Sequence, residues 1–121
     1  MVYLFVYGTL MRGYWNDLYL ENAKFICECK TVEDYSLILK GQIPFLNSLN
    51  KLYKISGELY DVSDEDLKDI DILEGNESFY FRRKMNVIGD DNKEYEVYAY
   101  FNSIQDGITL SEGNFKKYIT N

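Results

Sequence analysis

The chain has 121 residues, a formal net charge of −7, two cysteines and no histidine. At that length a single domain over 1–121 is expected, large enough to bury a core without disulfides or metal. The missing histidine excludes Ser-His-Asp and Cys-His nucleophile systems and His-based zinc sites, and the acidic balance disfavours nucleic acid as a partner.

In chain order, residues 2–7 form an apolar run without polar alternation, which reads as a strand buried on both faces. It breaks at Gly8, where glycine is expected to supply backbone angles other residues avoid. Amides following such a break can point outward together as a nest for a carboxylate or phosphate. No Gly-rich dinucleotide fingerprint or P-loop is present. Asn16 is placed to cap a short helix through Glu21. Residues 24–32 alternate loosely, predicting a half-buried strand with Phe25, Cys27 and Cys29 on one face. The two cysteines read as reduced thiols packed as small hydrophobes; a redox or metal role lacks partner ligands. Residues 35–39 are a further short apolar segment ending at Lys40-Gly41, Pro44 marks a bend or an edge, and Phe45, Leu46 and Leu49 continue the apolar material.

Residues 54–62 read as a strand with Gly57, Leu59 and Asp61 on one face and Glu58, Tyr60 and Val62 on the other; Gly57 implies close approach of a backbone or ligand. A helix is predicted over 64–73, with Ser63 as N-cap, Asp66 completing a capping-box pattern, Val62 and Leu67 as a staple, and Gly75 as the stop. Residues 79–88 and 94–101 form a hairpin around the turn-rich Gly89-Asp90-Asp91-Asn92, and the tail holds one short helix. Five to seven strands with few helices point to an α+β fold, a small mixed or antiparallel β-barrel with peripheral helices. No stretch is long and apolar enough to span a bilayer, and no secretory leader is evident, so a cytoplasmic monomer is expected.

Glu74 is the unusual acid. It falls at the predicted helix C-terminus, against the negative end of the dipole, beside Leu73 and ahead of Phe79 and Tyr80, which would raise its pKa and suit it to proton transfer. Glu77 is the rival base, while Asp71 orients the loop or stays in water.

Val6-Tyr7-Gly8-Thr9-Leu10 resembles the N-terminal signature of the gamma-glutamylcyclotransferase superfamily, especially its gamma-glutamylamine cyclotransferase-like branch. Asp71-x-x-Glu74-Gly75 followed by Tyr80-x-Arg82 resembles the second signature, and Ile43-Pro44 and Gly57-Glu58-Leu59-Tyr60 sit where that branch carries similar segments. The departure is Asn76-Glu77 in place of an apolar-proline pair, which leaves substrate identity open. The resemblance implies a barrel with a pocket at one mouth, in which the Gly8, Thr9 and Leu10 amides hold a glutamyl α-carboxylate and Glu74 is the acid/base, yielding 5-oxoproline and a free amine. Tyr7, Tyr80 and Tyr100 would line or close the pocket; Arg82 would pair with an acid, and Arg12 would be a solvated loop residue. The chemistry needs no metal or cofactor, because the small-molecule γ-glutamyl substrate brings its own nucleophile. The alternative is a non-catalytic ligand-binding or interaction module that keeps the same pocket.

Overall fold

The structure is a computed structural model describing residues 2–8, 10–14, 17–41, 43–74, 81–102 and 107–117, without the side chains of Asp17 and Glu74. Its strands are β1 (Val2–Val6), β2 (Lys24–Thr31), β3 (Ser36–Lys40), β4 (Ile43–Asn47), β5 (Ser56–Val62), β6 (Phe81–Gly89), β7 (Glu94–Phe101) and β8 (Ile108–Thr109). They form one sheet in the order β1-β5-β2-β6-β7-β4-β3-β8. A parallel pairing of Leu4 with Tyr98 joins β1 to β7 and closes the first five into a barrel. The barrel is mixed, as expected, but the described strands number eight rather than five to seven. The two-residue β8, which adds to the edge of β3, carries too short a pattern to be seen in the sequence.

β1 is buried on both faces only from Leu4 onward; Val2 is half-buried and Tyr3 exposed, so the covered run is shorter than the 2–7 expected. Phe5 and Leu59 pair across the strands on one face, and Gly57 lies beside the Phe5 ring. On the opposite face Leu4, Tyr60 and Val62 are equally buried. A Cβ at Gly57 would run into the Val6 carbonyl and the Phe5 ring, which is the close approach its position implied.

The face expected for β2 is corrected by a bulge. Phe25 pairs with Tyr60, but Cys27 already pairs with Leu59, so the register shifts between them. Phe25 therefore shares a face with Tyr60, their rings edge-to-face with centroids 5.5 Å apart, while Cys27 and Cys29 turn to the other face. Simple alternation cannot reveal an extra residue. Both cysteines are free and buried.

Helix α1 (Asp64–Glu74) starts as predicted: the Asp66 N–H donates to Ser63 Oγ at 3.0 Å, and the Leu67 N–H donates to the Ser63 carbonyl at 2.9 Å. Leu67 and Ile70 are buried and Leu73 packs against the core, so one stripe faces inward. The helix expected near Asn16 is a four-residue 3₁₀ segment, Asp17–Leu20, with Asn16 itself outside the described residues. The tail helix is likewise a 3₁₀ turn, Phe115–Lys117. Leu49 is exposed rather than part of the core. No helix among the described residues is long and apolar enough to cross a membrane.

Candidate active site

The first candidate segment begins where β1 ends. Gly8 lies outside the left-handed region, where Gly13 and Gly41 are found, so the expectation that it relieves backbone strain is corrected. Its requirement is space: a Cβ there would stand 2.7 Å from Cγ of Pro44, a ring atom of β4 that cannot swing aside. The chain after it folds into consecutive turns, with the Met11 N–H donating to the Gly8 carbonyl at 3.0 Å and the Tyr14 N–H to the Met11 carbonyl at 3.1 Å. Among the described residues, no acceptor takes the Gly8 or Leu10 N–H. Thr9 lies outside the described residues.

Tyr7 anchors the base of this loop. Its hydroxyl donates to the Tyr100 carbonyl at 2.7 Å and accepts the Leu46 N–H at 3.3 Å, tying β1 to β7 and β4. The Tyr100 hydroxyl in turn donates to Asp71 Oδ1 at 2.5 Å, and Arg82 Nε stands 3.0 Å from the same oxygen. Arg82 thus pairs with an acid, as expected, and its guanidinium stacks over the Tyr98 ring at 4.8 Å. Asp71 is held by β6 and β7 rather than left to solvent. It occupies the last full turn of α1, and Glu74 is the final residue of that helix, in a turn that carries no basic side chain.

The two candidate segments are therefore tethered to one strand. Tyr7, next to Gly8, bonds the backbone of Tyr100, while the side chain of Tyr100 holds the turn of α1 that leads to Glu74. The Glu74 side chain, Glu77 and Tyr80 lie outside the described residues. Among the described residues, no cluster of three or more His, Cys, Asp or Glu side chains could hold a metal ion.

Glu58 was visible in the sequence only as a member of the Gly57-Glu58-Leu59-Tyr60 segment, with no role of its own. It is a carboxylate on β5 with 1% exposure, beside Val6 in the register. Its Oε1 accepts the Arg12 N–H at 3.0 Å and the Tyr60 hydroxyl at 3.1 Å; its Oε2 lies 3.1 Å from Lys116 Nζ and 3.6 Å from Arg12 Nε. The available signal was an acid set between Gly57 and Leu59, on the same strand face as the apolar Tyr60 and Val62. Arg12 correspondingly departs from a solvated loop residue: its guanidinium lies 3.9 Å over the Phe25 ring, although much of the side chain remains exposed.

A separate cleft of about 520 Å³ lies over β5, β2 and β6 and meets the loop at Met11. Cys29, Ser56, Gly57, Asn114 and Lys116 contribute to its walls. Burial is the chief cause that raises the Cys29 thiol pKa, with Cys27 and nearby acids adding to it; burial, then Asp91 and Asp90, raises that of Cys27. Both thiols are held protonated, which suits packing rather than nucleophilic work.

Comparison with known proteins completes the assignment. Residues 4–117 match the family described as gamma-glutamyl cyclotransferase, AIG2-like. A Methanocaldococcus jannaschii protein named "putative gamma-glutamylcyclotransferase" is 42% identical over 119 residues, covering 98% of each chain. A gamma-glutamylaminecyclotransferase of Rattus norvegicus is 36% identical over 95 residues, which is 72% of this chain and 64% of the rat protein. The crystal structure of a mouse AIG2-like protein superposes with a TM-score of 0.81 at 29% identity, covering 88% of this chain and 80% of the mouse chain. With the order of its signature segments, its closed barrel and these matches in agreement, this chain belongs to the gamma-glutamyl cyclotransferase, AIG2-like family.

Proposed function

We propose that this protein is a cyclotransferase that converts a γ-glutamyl amide into 5-oxoproline and a free amine, with Glu74 as acid and base. The tether from Gly8 through Tyr7 and Tyr100 to Asp71 carries this reading, because it ties the candidate carboxylate cradle and the candidate base to the same strand. The Gly8 and Leu10 amides, with Thr9 between them, would hold the glutamyl α-carboxylate.

The substrate's α-amine nitrogen attacks its own side-chain carbonyl carbon. A five-membered lactam forms, the bond from that carbon to the leaving nitrogen breaks, and the proton lost by the amine is delivered to the leaving nitrogen. Nucleophile and electrophile belong to one molecule, so the first task is to fold the substrate; well-oriented intramolecular attack is worth roughly 7–11 kcal/mol. Glu74 would carry the proton between the two nitrogens, a role that supplies ~10²–10⁴-fold. A tyrosine hydroxyl of the pocket wall would oppose charge developing on the carbonyl oxygen. Tyr7, Tyr80 and Tyr100 would shape the pocket wall.

The test is Glu74→Gln, assayed for 5-oxoproline release from γ-glutamyl amines, γ-glutamyl-lysine and glutathione. Loss of release on the order of 10²-fold or more in a folded variant is expected. A wild-type rate removes Glu74 from the mechanism, with Glu77→Gln as the parallel variant for the rival base. Tight binding by the unaltered chain without 5-oxoproline would instead make it a binding module.

A further inference from the structure

We propose that Glu58 is a positioning residue that fixes the loop after β1 in the shape needed to receive the substrate's α-carboxylate; this rests on the reading of that loop as the carboxylate cradle. Glu58 does not touch the cradle itself. It acts through the Arg12 N–H, four residues beyond Gly8, which it holds at 3.0 Å.

The geometry favours a specific clamp over incidental burial. Val6, the last residue of β1, pairs with Glu58, so the carboxylate projects from the strand beside the point where the loop departs. One oxygen takes a backbone N–H of the loop, and the other meets the guanidinium of the same loop residue and the ammonium of Lys116. Lys116 sits just past Phe115, which is buried against Tyr14 at the far end of the loop, with ring centroids 5.5 Å apart. The carboxylate therefore joins β5, the loop and the tail turn at one point. Without that acceptor the partly exposed Arg12 and Lys116 donors can turn to water, so the loop and the tail turn lose their shared anchor on β5. An apolar side chain on that strand would have served a core more cheaply. The placement also keeps the negative charge of Glu58 behind the loop and matched by Arg12 and Lys116, so that it does not oppose an incoming carboxylate.

The experiment compares Glu58→Asp and Glu58→Gln with Tyr60→Phe, which removes another donor to the same oxygen without touching the loop. Steady-state release of 5-oxoproline and amide hydrogen exchange at Arg12 are measured in each. Glu58→Asp keeps the charge but draws the oxygens back by one methylene, whereas Glu58→Gln keeps the reach and loses the charge. The expected result is a KM raised about tenfold in Glu58→Asp with kcat held within about twofold, since substrate and transition state share the lost cradle. Faster exchange at Arg12 should accompany it, and Tyr60→Phe should change neither quantity. An unchanged KM in folded Glu58→Asp, or the same rise in Tyr60→Phe, overturns the proposal. If neither Glu58 variant folds, exchange in the unaltered protein decides: an Arg12 amide protected like those of β1 and β5 supports the clamp, and an unprotected one overturns it. If the unaltered protein releases no 5-oxoproline, the functional reading fails, while the exchange data still judge the clamp.

Discussion

Gly8→Ala separates the two reasons a glycine can be required at that position. The added methyl would stand 2.7 Å from Pro44 Cγ, well inside contact distance, and the proline ring is fixed in β4 opposite Leu39. Overpacking of this kind costs about 1–3 kcal/mol. An unfolding entropy of about 2.1 cal/mol/K per residue over 121 residues amounts to about 0.25 kcal/mol/K, so a fall in Tm of about 4–12 °C is expected. The decisive variant is Gly8→Ala combined with Pro44→Ala, which deletes the obstructing atom. Thermal and urea unfolding of both single variants and the double variant form a cycle, and the double variant should be at least ~1 kcal/mol more stable than the sum of the singles implies. Additivity within about 0.5 kcal/mol would show that the methyl is harmful for another reason, such as backbone angle, and would refute the steric account.

Three further outcomes follow from the ionisable groups and the cap. Tyr95 donates to Asp91 at 2.6 Å, and chiefly that bond, then desolvation, pushes the phenol up to about 12; Asp91→Ala should return it toward about 10, read by NMR titration of the labelled ring. Because the folded value is raised, the Tyr95 contribution to stability is complete below the unfolded value near 10 and is lost as pH rises through about 12. The same bond is the main cause that lowers the Asp91 pKa, so its contribution is present above the usual carboxylate range and disappears as pH falls through the folded value. Cys27 and Cys29 should react with a thiol reagent at pH 8 at least ~10-fold more slowly in the folded protein than in urea, and equal rates would contradict their burial. Ser63→Ala should cost ~1 kcal/mol by removing the acceptor for the Asp66 N–H, measured as a shift in the urea midpoint.

What could be read in advance was local. The Ser63 cap, the hydrophobic stripe of α1, the β6–β7 hairpin and the crowding at Gly57 each depend on residues near one another in the chain or on one strand's composition. What escaped depends on distant partners. Gly8 meets Pro44 of β4, Glu58 collects donors from three separate segments, and a bulge turns Cys27 away from the face of Phe25. Of the candidate site, the resemblance supplied Tyr7, Gly8, Thr9, Leu10, Glu74, Tyr80 and Tyr100, while the bonds that link Tyr7, Tyr100 and Asp71 came only from the three-dimensional arrangement.

The parallel contact between Leu4 and Tyr98 bears on how the protein is made. During translation the first strand, a row of apolar side chains, leaves the ribosome long before either of its neighbours, β5 and β7, exists to cover it. Closure must wait for most of the polypeptide, a non-local step of the kind that slows folding. Until then, the same stretch that later supports the loop stays uncovered and open to contact with another copy.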